Sequence, residues 1–159
     1  MTNGEVRNVV NDSSCGGALT LSSTSTNGFT MEGGYIHGCV GINQQDGASG
    51  TITINNSQGK NTRVVGDHSG ISISSSTNNL LKIGTSGNTS KSYPLIESTG
   101  DNYYAVKLPT TSVTFQFYSG ILKSSGKTAV FRGKRAGSCP SGKKWTVNKS
   151  SSPYSAYCK

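Results

Sequence analysis

Apolar residues in this 159-residue chain occur in short bursts in which they alternate with Thr, Ser or another polar residue. The segments 52–54 (ITI) and 71–73 (ISI) show the pattern, and Gly, Asn and Ser separate one burst from the next. Alternation with a period of two is typical of β-strands that bury one face. Ser, Thr, Asn and Gly are poor helix formers, which excludes a helical bundle. The chain is therefore predicted to be all-β.

A longer unit recurs along the chain. Segment 29–36 (FTMEGGYI) can be laid on segment 115–122 (FQFYSGIL), with an aromatic residue, a glycine and an apolar pair at matching positions. Phe29, Ile52 and Ile71 each begin an alternating burst, and they follow one another at similar steps. These steps indicate a period near 20, which predicts a solenoid of about five or six coils over residues 15–135, each with two or three short parallel strands. A β-sandwich also suits strands at such spacing, but it does not predict the recurrence.

Several segments resemble the repeats of large β-helical surface proteins of Gram-positive gut bacteria. They are GTITINNSQG at 50–59, FTMEGGYIHG at 29–38 and FQFYSGILKSSGKTAVF at 115–131, while segment 80–106 resembles the stretch that precedes the last of these in that family. The resemblance covers residues 17–133. It implies a single right-handed parallel β-helix in an extracellular setting, on a cell surface or a pilus. The cysteines and the tail after Gly137 depart from it.

Both ends of the chain differ from the repeats. The tail alternates around Trp145 and Val147 and again around Tyr154 and Ala156, which predicts a short hairpin that closes the open end of the solenoid. We therefore expect an N-terminal cap at 1–14, the β-solenoid at 15–136 and a disulfide-closed C-terminal cap at 137–159. No apolar run approaches the length that a membrane span needs, so no transmembrane segment is expected.

Four cysteines in a Ser- and Thr-rich chain suggest disulfides formed in an oxidising compartment. The separation between Cys15 and Cys39 is close to one coil, and Cys139 and Cys158 flank the tail hairpin. Among the three connectivities we predict Cys15–Cys39 and Cys139–Cys158; free thiols are the alternative. Zinc is disfavoured, because the chain has no Cys-x-x-Cys pair and only His37 lies close in sequence to a cysteine. No metal and no cofactor are expected.

Positive charge is concentrated in the last third of the chain. Up to Asp101 there are five basic and all seven acidic residues, whereas ten basic residues and no acidic one follow from Asn102 onward. Such a patch suits an anionic partner, although lysines also keep a terminal edge from pairing. The predicted anion-binding residues are Lys127, Arg132, Lys134, Arg135, Lys143, Lys144 and Trp145.

The carboxylates argue against an enzyme. Polysaccharide-active β-helices need clustered acids, and the acids of this chain include no Asp-Asp or Asp-x-Asp pair. Together with the resemblance, this predicts a non-catalytic extracellular structural or adhesive module of a bacterial surface or pilus protein. The alternatives are a binding domain for an anionic polymer or a host or wall glycan, and, third, a carbohydrate-active β-helix enzyme. End-to-end self-assembly is a further expectation. Nucleic acid is not expected as a partner, because no nucleic-acid motif is present.

Overall fold

The computed structural model describes residues 1–8, 15–57, 60–76, 80–90, 92–126 and 129–159. The described ranges contain strands and no helix, so the predicted all-β class is confirmed. Sheet A has the order β1 (Glu5–Arg7), β4 (Tyr35–Gly38), β7 (Arg63–Gly66), β10 (Leu95–Asp101), β13 (Ile121–Gly126), β17 (Tyr154–Cys158) and β16 (Trp145–Asn148). Sheet B has the order β2 (Gly17–Leu21), β5 (Val40–Gln44), β8 (Ile71–Ile73), β11 (Val106–Lys107) and β14 (Phe131–Arg132). Sheet C has the order β3 (Phe29–Met31), β6 (Ile52–Ile54), β9 (Leu81–Ile83), β12 (Thr114–Phe117) and β15 (Lys134–Ala136).

Strands β1 to β15 visit the three sheets in the constant order A, B, C. Three consecutive strands, one in each sheet, are called a cycle here, and the described residues contain five of them. Each strand pairs in parallel with the strand that occupies the same sheet in the next cycle. Apart from a shift between Ser98 and Asp101 in the β10–β13 pair, the register is constant, so inward residues lie on inward residues of the neighbouring strand.

The core consists of columns of such stacked residues. In sheet C, Met31, Ile54, Ile83 and Phe117 lie in one column and are all fully buried. The residue before each of them in sequence is polar and points to the other face of the sheet, as Thr53 does between Ile52 and Ile54. Few large residues per cycle therefore suffice to fill the core, which agrees with a hydrophobic content of 31%.

The recurring unit occupies equivalent places in the first two and last two cycles. Segment 29–36 passes from β3 into β4, and segment 115–122 passes from β12 into β13, in each case from sheet C to sheet A. The matched glycines Gly34 and Gly120 turn the chain with φ of 94° and 98°. A side chain is strained at such angles, which explains the glycine in both copies.

The predicted period near 20 is wrong for the middle of the chain. Ile52 pairs with Leu81, and Ile71 pairs with Ile42, so both steps are clearly longer than the predicted one. Ile52 and Ile71, which the sequence suggests as counterparts one coil apart, therefore lie in different sheets, C and B. The step from Phe29 to Ile52 does join paired residues. The steps differ because the connections between strands vary in length from cycle to cycle.

The two ends differ from the middle. Strand β1 falls within the expected cap at 1–14 but pairs with β4 as the outermost strand of sheet A, and residues 9–14 lie outside the described ranges. In the tail, β16 and β17 form an antiparallel hairpin, and β17 pairs antiparallel with β13. The hairpin therefore extends sheet A beyond its last parallel strand. A search of the described residues for a helix long and apolar enough to cross a membrane finds none.

Candidate functional site

Arg135, a predicted anion-binding residue, lies against the end of the core. It pairs with the fully buried Phe115, so it occupies an inward position in the last strand of sheet C. Its Nη2 donates to the Phe117 carbonyl oxygen at 3.1 Å, and its guanidinium carbon is 4.9 Å from the centre of the Trp145 ring. Burial lowers the pKa of Arg135 below its ordinary value, although an arginine remains charged in proteins. Arg135 therefore attaches the tail to the sheets.

Trp145 is likewise part of the closure of the core. Its ring meets Phe117 edge-on at 4.9 Å between ring centres and Phe131 at 5.9 Å. Phe131 in turn meets Phe115 at 5.4 Å. Edge-on aromatic pairs stabilise by about 0.5–1.5 kcal/mol beyond the area that they bury. Of the predicted anion-binding residues, Arg135 and Trp145 thus pack on each other and on the aromatic end of the core.

Arg132 and Lys134 remain on the surface. Arg132 lies on the outward face of β14 beside Lys107 of β11, and Lys134 is exposed in β15 opposite Thr114. Gly133, with φ of 130°, separates them, and the chain passes there from sheet B to sheet C. We call Lys107, Arg132 and Lys134 the basic corner. Lys107 is absent from the predicted set, and only its register with Arg132 identifies it.

The other predicted cations lie elsewhere. Lys143 and Lys144 precede β16, where the Lys144 and Lys159 backbones exchange hydrogen bonds of 2.7 and 2.8 Å. Lys127 lies outside the described residues. The structure therefore divides the predicted set between the basic corner, the outer edge of sheet A and the closure of the core.

Ion pairs do not neutralise the described basic residues of the last third of the chain. In the part of the chain that the structure describes, ion pairs join Arg7 to Glu5, His37 to Asp67 and Arg63 to Glu97, all before residue 98. The described cations after Asp101 have no carboxylate within 4.0 Å. Their field therefore extends to about 8 Å at physiological ionic strength.

Both predicted cysteine pairs lie at disulfide distance. The Cα atoms are 5.3 Å apart in Cys15–Cys39 and 5.6 Å apart in Cys139–Cys158, within the range that a bridge needs. Cys15 directly precedes the β2 region and Cys39 lies between β4 and β5, so the first bridge links two successive cycles. The second bridge closes the tail hairpin.

His68 accompanies the first bridge, a contact that the sequence does not suggest. Its Nδ1 lies 2.8 Å from Cys15 Sγ, its backbone N–H donates to the Cys39 carbonyl at 2.8 Å, and its ring stacks on Tyr103 at 3.9 Å. His37, the histidine close to a cysteine in sequence, hydrogen-bonds Asp67 instead. The correct length of the middle cycles would have revealed this contact, because His68 follows Cys39 by the same number of residues that separates the paired Ile42 and Ile71.

Comparisons with protein-family models, with curated proteins and with solved structures found no match for this chain. No relative therefore supplies an activity, a ligand or a partner. The resemblance of residues 17–133 to β-helical surface proteins stays an expectation.

Proposed function

We propose that the three parallel sheets are the faces of a single right-handed β-helix, and that this chain is a non-catalytic, extracellular structural module of a bacterial surface or pilus protein. The main support is the constant order of the sheets over five cycles, together with a constant register along sheet C. A chain that visits three parallel sheets in turn is what a β-helix requires. Such a stack buries its core with few apolar residues and presents regular polar faces.

The two bridges favour an oxidising, extracellular setting. They close loops with sequence separations of 24 and 19 residues. Loops of this size stabilise by about 3 kcal/mol each in the chain-entropy model. One bridge lies in the first two cycles and the other in the tail, so they reinforce the two ends of the stack, where unpaired strand edges would otherwise begin to fray.

The carboxylates support a non-catalytic role. Glu5, Asp67 and Glu97 each lie against Arg or His rather than against another acid. Within the described ranges, one cluster brings three potential metal ligands together. It consists of two cysteines and one histidine and contains no carboxylate. Glu5, Asp67 and Glu97 therefore do not form the pair of carboxylates that glycoside hydrolysis needs.

Surface labelling and substrate turnover test this proposal. An antibody against the oxidised protein should label intact, unpermeabilised cells of the source organism, and the purified protein should release no sugar from anionic or neutral polysaccharides. Labelling that requires permeabilisation would contradict the extracellular role. Sugar release that persists through repurification would establish the carbohydrate-active alternative.

A second candidate function, recognition of an anionic polymer, is favoured by the basic corner. Lys107 and Arg132 are direct neighbours on one face, Lys134 lies on the adjoining sheet, and none of the three has a carboxylate partner within 4.0 Å. Adjacent like charges are unfavourable unless an anion lies between them. A sulfated or phosphated polymer would supply that anion.

Retention on immobilised heparin measures the binding of an anionic polymer by the basic corner directly. Replacing Lys107, Arg132 and Lys134 together by Gln should lower the salt concentration for elution, because the number of released counterions falls. The matched control removes the same charge from three exposed lysines elsewhere, Lys82, Lys149 and Lys159. An equal shift in both triple variants would show that only net charge matters, and would refute a site at the basic corner.

A further inference from the structure

The corner between sheets A and B brings side chains from four successive cycles into one column. Cys15, Cys39, His68 and Tyr103 each lie between a strand of sheet A and the next strand of sheet B. Because stacked strands are about 4.8 Å apart, residues at the same corner of adjacent cycles come into contact. The two Sγ atoms and a His68 ring nitrogen lie within 4.8 Å of one another, and all three residues are half-buried.

We propose that Cys15, Cys39 and His68 form a redox-controlled binding site for Zn²⁺, closed while the cysteines are bridged and open after a dithiol has reduced the bridge. Two thiolates and one imidazole are ligands that zinc prefers, with water in the fourth position. A bridged sulfur carries no hydrogen, so in the oxidised protein His68 Nδ1–H donates to Cys15 Sγ. The imidazole lone pair is then directed away from the sulfurs, and the site cannot bind a cation.

Reduction changes the roles of all three side chains. A dithiol supplies two electrons and two protons, the S–S bond breaks, two thiols form, and the reductant leaves as its cyclic disulfide. Zn²⁺ binding then releases both thiol protons to solvent. His68 coordinates through Nδ1 as the tautomer that carries its proton on Nε2. Each step balances without a further reactant.

The surroundings hold His68 in place for this role. The Tyr103 ring stacks on it with an angle of 13° between planes, and Ser98 Oγ donates to its carbonyl oxygen. Its backbone N–H is bonded to the Cys39 carbonyl, which ties it to one of the proposed ligands. Loss of a contact that fixes the orientation of a metal ligand typically lowers metal affinity by about 10–100-fold.

The second bridge lacks these features and serves as an internal comparison. Arg135 Nη2 lies 3.3 Å from Cys139 Sγ, so a positive charge occupies the place that His68 takes beside the first bridge. The sequence has two histidines, His37 and His68. Both lie at or just after a strand of sheet A in the first three cycles, far in sequence from Cys139 and Cys158. Zinc binding is therefore expected at one pair of cysteines and not at the other.

Cobalt titration tests the proposal, since Co²⁺ in a thiolate site has an intense near-ultraviolet charge-transfer band. After anaerobic reduction and removal of the dithiol, the wild-type protein should bind one Co²⁺ per chain, and Zn²⁺ should displace it. The oxidised protein should show no band. His68→Ala should weaken zinc binding at least about tenfold, whereas the matched control His37→Ala should bind as the wild type does. Circular dichroism should show that the strands persist in the reduced, zinc-bound protein.

Several results would overturn the proposal. They are equal affinity in His68→Ala and wild type, binding of two ions per chain with the same spectrum, and a band in the oxidised protein. Loss of the strand signal on reduction with zinc present would also overturn it, because the ligands come from three different cycles and meet only in the folded stack.

Discussion

Replacing Phe117 by Ala tests whether the aromatic end of the core stabilises the fold. Phe117 is fully buried, lies on Ile83 of the neighbouring strand in sheet C, and meets Trp145 of the tail edge-on at 4.9 Å. The substitution therefore removes a core residue and the aromatic contact that holds the tail hairpin against the last cycles. We expect a large loss in the free energy of unfolding.

The magnitude follows from the buried area. A phenylalanine buries roughly 150–250 Å², which at about 25 cal/mol per Å² corresponds to about 4–6 kcal/mol. A compact unfolded chain reduces this by roughly 10–40%. The expected loss is therefore about 3–5 kcal/mol, in line with Phe-to-Ala substitutions in other cores. For a chain of this length the melting temperature should fall by about 2–4 °C per kcal/mol.

Urea unfolding of the oxidised protein measures the loss, and the adjacent residue provides the control. Gln116 points outward and is half-buried, and its Oε1 accepts a hydrogen bond of 3.2 Å from the Tyr118 hydroxyl. Gln116→Ala should cost less than about 1 kcal/mol. Equal losses at Gln116 and Phe117 would refute the assigned register of β12, and a loss below about 1 kcal/mol at Phe117 would refute its place in the core.

Three further predictions concern turns and bridges. Gly84 and Gly87 have φ of 74° and 86°, but an added Cβ would lie 2.6 Å from Ser119 N at Gly84 and would meet nothing within 4 Å at Gly87. Alanine should cost about 1–2 kcal/mol of backbone strain at both positions and about 1–3 kcal/mol more at Gly84 alone. Equal urea midpoints for the two alanine variants would contradict the close approach at Gly84. Replacing Cys139 and Cys158 by Ser should lower the free energy of unfolding by about 2–5 kcal/mol and let a protease cut the tail hairpin before the sheets, whereas simultaneous cleavage would show that the bridge does not protect the hairpin. The unreduced protein should be about 4 Da lighter than the reduced one, for two bridges, and a peptide linking the first cysteine to the third would contradict the pairing.

Local features of the fold were predictable because they depend on a few adjacent residues. The alternation in ITI correctly indicates strand β6 with both isoleucines buried, since the period of two is a property of any strand with one buried face. The likeness of segments 29–36 and 115–122 correctly indicates equivalent places, because both need an inward aromatic residue followed by a glycine turn.

Which strands are neighbours was not predictable to the same degree. Ile52 stacks on Leu81 rather than on Ile71, because the connections that set the length of a cycle are polar and carry no periodic signal. The same error hid His68, which the longer step of the middle cycles places beside the first bridge. The role of Arg135 was hidden for another reason: charge alone does not distinguish an outward cation from one that occupies an inward position under an aromatic ring.

The Cys139–Cys158 bridge also determines how the fold would transmit a pulling force. Tension applied to the chain beyond Cys158 passes through the covalent bridge to Cys139 and from there to β15, so it bypasses the hairpin. The bridge withholds 19 residues from extension, about 65 Å of contour length, and the Cys15–Cys39 bridge withholds a further 24 residues, about 80 Å. Under shear, the oxidised protein would therefore lengthen by release of β1, which precedes Cys15, and by unstacking of the cycles between the two bridges, while the two bridged loops keep their length.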